Sequence, residues 1–111
     1  MARPNSTIVS MKPAIEISKL DLESFCRTNH VRKLSLFGSV VRNDFNPDSD
    51  IDVLVEFEPR HVPGLIGLAG MELELSKLFG GRKVDLNTPG FFGTSLRQKI
   101  LQEAVVQYGK P

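Results

Sequence analysis

Leu36-Phe37-Gly38-Ser39-Val40-Val41-Arg42-Asn43-Asp44-Phe45-Asn46-Pro47-Asp48-Ser49-Asp50-Ile51-Asp52-Val53-Leu54-Val55 is the stretch on which the reading of this chain turns. It begins as an apolar strand and breaks at a Gly-Ser pair. It passes through a turn in which Pro47 presets one dihedral and the Asn and Asp side chains bond locally. It then re-enters an apolar strand that opens with two aspartates. Val31 to Phe37 and Ile51 to Phe57 are therefore expected to be strands. Ser39 is a natural helix N-cap, and Val40 to Asn43 make one short helical turn.

A glycine at such a turn lets backbone approach a ligand closely, because no Cβ intrudes. The N–H groups that open the following turn lack intrahelical partners, and phosphate oxygens can satisfy them. Gly38 and Ser39 read as a phosphate cradle, although the dipeptide alone is equally an ordinary turn. Asp50 and Asp52 are two residues apart on a strand, so both carboxylates face the same way, about 6.5–7 Å apart along the chain. Two unpaired anions that close disfavour each other's ionisation. A divalent cation resolves the conflict, and carboxylate oxygen suits Mg²⁺ or Mn²⁺. The bland alternative is two solvated turn aspartates, and the buried-strand sequence Val53-Leu54-Val55 counts against it.

A third carboxylate would help activate a hydroxyl nucleophile and complete a second metal site. Asp85 is the candidate, an acid within the apolar run Val84-Asp85-Leu86. An unpaired carboxylate buried there would be costly, so it needs either that role or a salt bridge to Arg82 or Lys83. The alternation of Asn46, Asp48, Asp50 and Asp52 resembles a calcium-binding loop. That loop needs glycine at its sixth position and glutamate at its twelfth. Starting at Asp44, Asn46 or Asp48 puts Ser49, Ile51 or Val53 at the sixth and Val55, Phe57 or Pro59 at the twelfth, so every register fails.

Outward from the centre, Ile17 to His30 reads as a helix with Leu20, Phe25 and Cys26 on its apolar side and Ser18 or Asp21 as cap. Leu65 to Phe79 is the longest helix. Leu65, Leu68, Ala69, Leu73, Leu75, Leu78 and Phe79 form its buried side, Met71 is core, and Glu72, Glu74 and Lys77 face solvent. Gly80-Gly81 caps it. Arg82 to Asn87 is a third strand. Phe91-Phe92-Gly93 is a loop available either for docking or for simple packing. Thr94 or Ser95 caps a last helix to about Gln102, and Ala104 to Tyr108 forms a final strand. Strands separated by helices at these lengths indicate an α/β (α+β) sandwich on a small mixed sheet.

The 111 residues are expected to form one domain over 16–111 behind a loose N-terminal segment over 1–15. A net charge of +1 gives no global case for nucleic acid or an anionic membrane. The one cysteine rules out an intrachain disulfide, and the absence of an apolar leader or span places the protein in the cytoplasm. His30 and His61 read as a helix end and a loop residue, with no Cys or second His supporting a zinc site.

The spacing Gly38-Ser39, ten residues, then Asp50-x-Asp52 resembles the signature of the DNA polymerase β nucleotidyltransferase superfamily. The fuller run, Phe37-Gly38-Ser39-x-x-Arg42-x-Asp44 followed by Ser49-Asp50-Ile51-Asp52-Val53-Leu54-Val55, is similar to its smallest members, the minimal nucleotidyltransferases or MNT domains. Val84-Asp85-Leu86 looks like their third acidic strand. Val41 and Asn43 depart from the small alanine and the glycine common there. The resemblance spans about Leu20 to Tyr108. It implies a polymerase β-like fold, with Gly38 and Ser39 on the terminal phosphates of ATP. Asp50, Asp52 and Asp85 would ligate two Mg²⁺ ions, and Asp85 would help deprotonate the acceptor. Arg42 would either contact phosphate or brace the turn through Asp44.

The resemblance further implies an antitoxin that works beside a HEPN-domain toxin, transferring AMP from ATP to a tyrosine of that ribonuclease. Such a chain needs its partner to present the acceptor, since it is little more than a catalytic sheet. Homo- or hetero-oligomers fit that arrangement; direct nucleic-acid or membrane binding is not expected. Two other functions compete: an antitoxin that neutralises by contact alone, and nucleotidyl transfer to a small molecule.

Overall fold

The computed structural model describes residues 8–10, 16–42, 46 and 48–109. Its centre is a four-stranded mixed sheet in which β3 (Val31–Phe37) and β4 (Ile51–Phe57) lie side by side, antiparallel. Both strands match the spans expected from sequence. The edge strand β5 (Val84–Asn87) runs parallel to β4, and β6 (Val105–Tyr108) runs antiparallel to β3, giving the order β5-β4-β3-β6.

The period of two along these strands sorts residues onto two faces. Leu34, Leu36, Ile51, Val53, Val55, Val84 and Leu86 face one core, with Leu22, Phe25 and Cys26 of α1 (Lys19–Thr28) and Leu68, Met71 and Leu75 of α2 (Leu65–Leu78). Phe37 and Leu54 face the other side, where, among the described residues, Ile100 of α3 (Thr94–Glu103), Phe92 and Ala104 pack against them. Asp52 and Asp85 share the register positions of that second face.

Several local readings change. Ser18 is the cap of α1, its hydroxyl accepting from the Asp21 amide at 3.3 Å. Ile17 is not helical; it belongs to β2 (Glu16–Ser18), which pairs antiparallel with β1 (Ile8–Ser10) inside the segment expected to be loose. The other residues of 1–15 lie outside the described set. Leu20 is 61% exposed, not part of the stripe.

On α2 the buried row is Leu68, Met71, Leu75 and, just beyond the helix, Phe79. Leu65, Ala69 and Leu73 are exposed. Leucines nearly all round the helix hide which face is inward. Glu72 is not a solvated residue: its Oε2 accepts the Leu86 amide at 2.7 Å and ties α2 to the edge strand. Gly80 and Gly81 take φ of +75° and +87°, and the Gly81 amide donates to Ser76 O at 2.8 Å, closing α2 as expected. His30 and His61 stack with ring centroids 3.8 Å apart.

Candidate active site

The site forms where β3 ends. Residues Gly38–Val41 make a short 3₁₀ turn that starts at Gly38 rather than at Val40. Phe37, not Ser39, stands at the capping position, and no side chain caps the turn. Gly38 is buried with φ +75°, a backbone conformation that suits glycine alone. A Cβ there would run into the Asp52 carboxylate, meeting Oδ2 and standing 3.1 Å from Cγ. Glycine is therefore required twice over: by the dihedral and by the closeness of the cradle to the acid. Ser39 is half-buried beside it.

Asp52, the second residue of β4, lies directly across from Phe37 on β3 and from Asp85 on β5. Asp50 precedes β4 by one residue, on the same side by strand period. Asp52 and Asp85 are thus register neighbours on one face, with Asp50 just before the strand. Asp52 carries the electrostatic consequence. Its pKa is pushed up from 3.8 to about 6, by burial first, then by the negative charges of Asp85 and Asp50, with Glu103 adding a little. The Arg42 guanidinium pulls the other way.

Asp85 is exposed, because β5 alternates buried and exposed residues as an edge strand should. The burial cost reasoned from its apolar neighbours does not arise. Of the two cations considered from sequence, Lys83 Nζ lies 3.9 Å from Asp50 Oδ2, and Arg82 donates to Asn46 O at 2.9 Å.

Arg42 meets a residue that the sequence reading missed. Its Nη1 lies 3.3 Å and 3.2 Å from Glu103 Oε1 and Oε2, and Glu103 Oε1 also accepts the Gly38 amide at 2.9 Å. Bracing through Asp44 concerns a residue outside the described set. The only sequence signal for Glu103 was an acid at the foot of the last helix, sixty-five positions from Gly38.

Gly38, Arg42, Asp52, Lys99 and Glu103 form the polar wall of a cleft of about 310 Å³ whose apolar wall is Phe37, Leu96 and Ile100. That volume suits a small ligand. Asp50 and Asp85 flank the cleft outside its lining. Of the Phe91-Phe92 pair, Phe92 packs edge-on against Phe37 at 6.2 Å under α3, whereas Phe91 is exposed.

The donor chemistry suits divalent metal: hard carboxylate oxygens on adjacent strands, with Asp52 raised by its own neighbours, a repulsion that a cation would relieve. Among the described residues, no group of three or more His, Cys, Asp or Glu side chains is placed to hold a metal ion.

Comparison with known proteins follows the same lines. The model of the nucleotidyltransferase domain family matches residues 20–106. A protein adenylyltransferase, MntA, of Thermococcus cleftensis is 37% identical over 75 residues, 68% of this chain and 73% of that protein. A solved structure described as a minimal nucleotidyltransferase is 32% identical, with a TM-score of 0.65 over 78% of this chain and 86% of that one. A complex of an AMPylated HEPN toxin with its MNT antitoxin from Shewanella oneidensis shares the fold, with a TM-score of 0.60 at 21% identity, over 83% of this chain and 70% of that one. A glycine-hinged cradle set against acids on two parallel strands, and a family match across the whole sheet, lead to one conclusion: the chain belongs to the nucleotidyltransferase domain family, and it is a minimal nucleotidyltransferase.

Proposed function

We propose that the protein is an antitoxin that transfers AMP from ATP to a tyrosine of a HEPN-domain toxin. The observation that carries this reading is the register pairing of Asp52 with Asp85 beside Gly38. It supports two carboxylates at the reacting end of a phosphate cradle, with Asp85 open to an acceptor brought from outside. The Thermococcus relative is a protein adenylyltransferase, and the Shewanella complex pairs an MNT antitoxin with an AMPylated HEPN toxin.

In the proposed reaction Gly38, Ser39 and Arg42 hold the phosphates, and the cleft's apolar wall takes the nucleoside. Asp50, Asp52 and Asp85 would hold two Mg²⁺ ions, which when bound supply charge stabilisation for phosphoryl transfer. The tyrosine oxygen forms a bond to the α-phosphorus, the bond to pyrophosphate breaks, and the phenolic proton passes to the exposed Asp85 carboxylate. ATP chemistry and a lone buried thiol at Cys26 fit a reducing, nucleotide-rich compartment such as the cytosol. Among the described residues no helix is long and apolar enough to cross a membrane.

The test is incubation with α-labelled ATP, Mg²⁺ and a candidate HEPN-domain toxin, the neighbouring gene's product being the first to try. Label is expected on a toxin tyrosine and is expected to vanish with Asp52→Ala. No transfer with any nucleotide or divalent metal would sink the reading.

A further inference from the structure

Glu103 sits where its own helix disfavours it. It is the last residue of α3, and a helix C-terminus repels negative charge. No basic residue of that last turn offsets it. Its carboxylate is held from outside the helix, by the Gly38 amide at 2.9 Å and by Arg42 Nη1 at 3.2–3.3 Å. These are two of the donors that the proposed function gives to phosphate.

We propose that Glu103 is an anion placeholder: its carboxylate occupies the donors that a nucleotide phosphate takes, and the nucleotide binds by exchanging with it. The inference rests on the phosphate-cradle reading of Gly38 and adds a residue that sets how tightly that cradle binds. Three features favour exchange over permanent support. The Glu103 side chain is 30% exposed, so it has solvent to move into. Lys99 lies one helical turn back on the same cleft wall, the i,i−4 position at which a released carboxylate finds a cation. Glu103 also adds negative charge beside Asp52, so a polyphosphate entering with Glu103 in place would meet two fixed carboxylates across a small cleft.

Exchange makes nucleotide affinity a difference between two anions competing for the same N–H groups. A neutral side chain at 103 competes less well, because a hydrogen bond to a charged acceptor is roughly twice as strong as one to a neutral acceptor. The experiment is calorimetric titration of inorganic tripolyphosphate into the full chain in EDTA, so that metal binding plays no part. Glu103→Gln is expected to bind about tenfold tighter than the unaltered chain. Glu103→Asp, whose shorter side chain reaches the Gly38 amide poorly, is expected to bind tighter by a smaller factor. Thermal melts of each variant establish that it is folded, and the Asp variant decides the matter if the Gln variant is not.

If the unaltered chain binds tripolyphosphate and the folded variants bind equally or more weakly, Glu103 supports the cradle and the placeholder idea is overturned alone. If no form binds, the phosphate-cradle reading falls and the placeholder falls with it.

Discussion

Asp52 and Asp85 are register partners on parallel neighbouring strands, and their side chains leave the sheet on the same face. They come from segments thirty-three positions apart, yet the Asp85 charge raises the cost of ionising Asp52. A cation between them removes that cost, so their loss should act on the reaction far more than on the fold. Asp50→Ala, Asp52→Ala and Asp85→Ala are each expected to lower AMP transfer at least about a hundredfold, with melting temperature held or raised. If Asp52→Ala still protects cells from the toxin, neutralisation proceeds by contact and not by transfer.

The raised Asp52 pKa has a definite sign in stability. The protonated form is favoured in the folded state, so this group's contribution is full below 3.8 and is lost as pH climbs to about 6. In the absence of divalent cations, Asp52→Asn should flatten the decline in melting temperature between pH 4 and 6. At pH 8 it should melt a few degrees higher, since a half-exposed carboxylate screened by solvent leaves about 1 kcal/mol of strain to relieve. Melts in EDTA across that range provide the check; a steeper decline in the variant would contradict the assignment.

Gly38→Ala tests the tight join between cradle and acid. The added methyl meets Asp52 and the backbone is left at a positive φ, so a loss of about 1–3 kcal/mol is expected. Denaturant unfolding measures the loss. Phosphate binding should fall with it, because relief of the collision moves either the amide or the carboxylate.

The face of α2 separates two substitutions of the same residue type. Leu75→Ala removes a fully buried side chain and should cost about 2–5 kcal/mol. Leu73→Gln, at a position 69% exposed, should change stability by less than about 0.5 kcal/mol. Equal costs would mean that the helix is rotated from the orientation described.

Cys26 is fully buried, and burial, helped by Glu23, pushes its thiol up to about 12. A thiol-labelling reagent at pH 8 should therefore react only on unfolding, at least about a hundredfold slower than a free thiol.

How much of this was legible in the sequence follows from the range of the interactions. The two central strands were readable because Leu34, Leu36, Val53 and Val55 are apolar and their boundaries carry Gly38 and Asp50. The family motif was readable because its residues are close in sequence, which is why the fold and the family could be named before any geometry. The orientation of α2 was not, since a helix with leucine at positions 65, 68, 73, 75 and 78 has no unique apolar side. The exposure of Asp85 is not readable from sequence, because Val84 and Leu86 are the same letters in an edge strand as in a covered one. Glu103 was invisible because a hydrogen bond across sixty-five residues leaves no local pattern. The β1–β2 pair was missed because three-residue strands carry almost no periodicity.

The pairing of β6 with β3 has a consequence in the order of synthesis. A nascent chain that has emerged only through β4 already carries Gly38, Asp50 and Asp52. It lacks both the parallel neighbour that bears Asp85 and the helix that delivers Glu103 to the Gly38 amide. The candidate site's residues on β3 and β4 are thus synthesised before those on β5 and α3, and the full set is present once the chain has grown through Glu103.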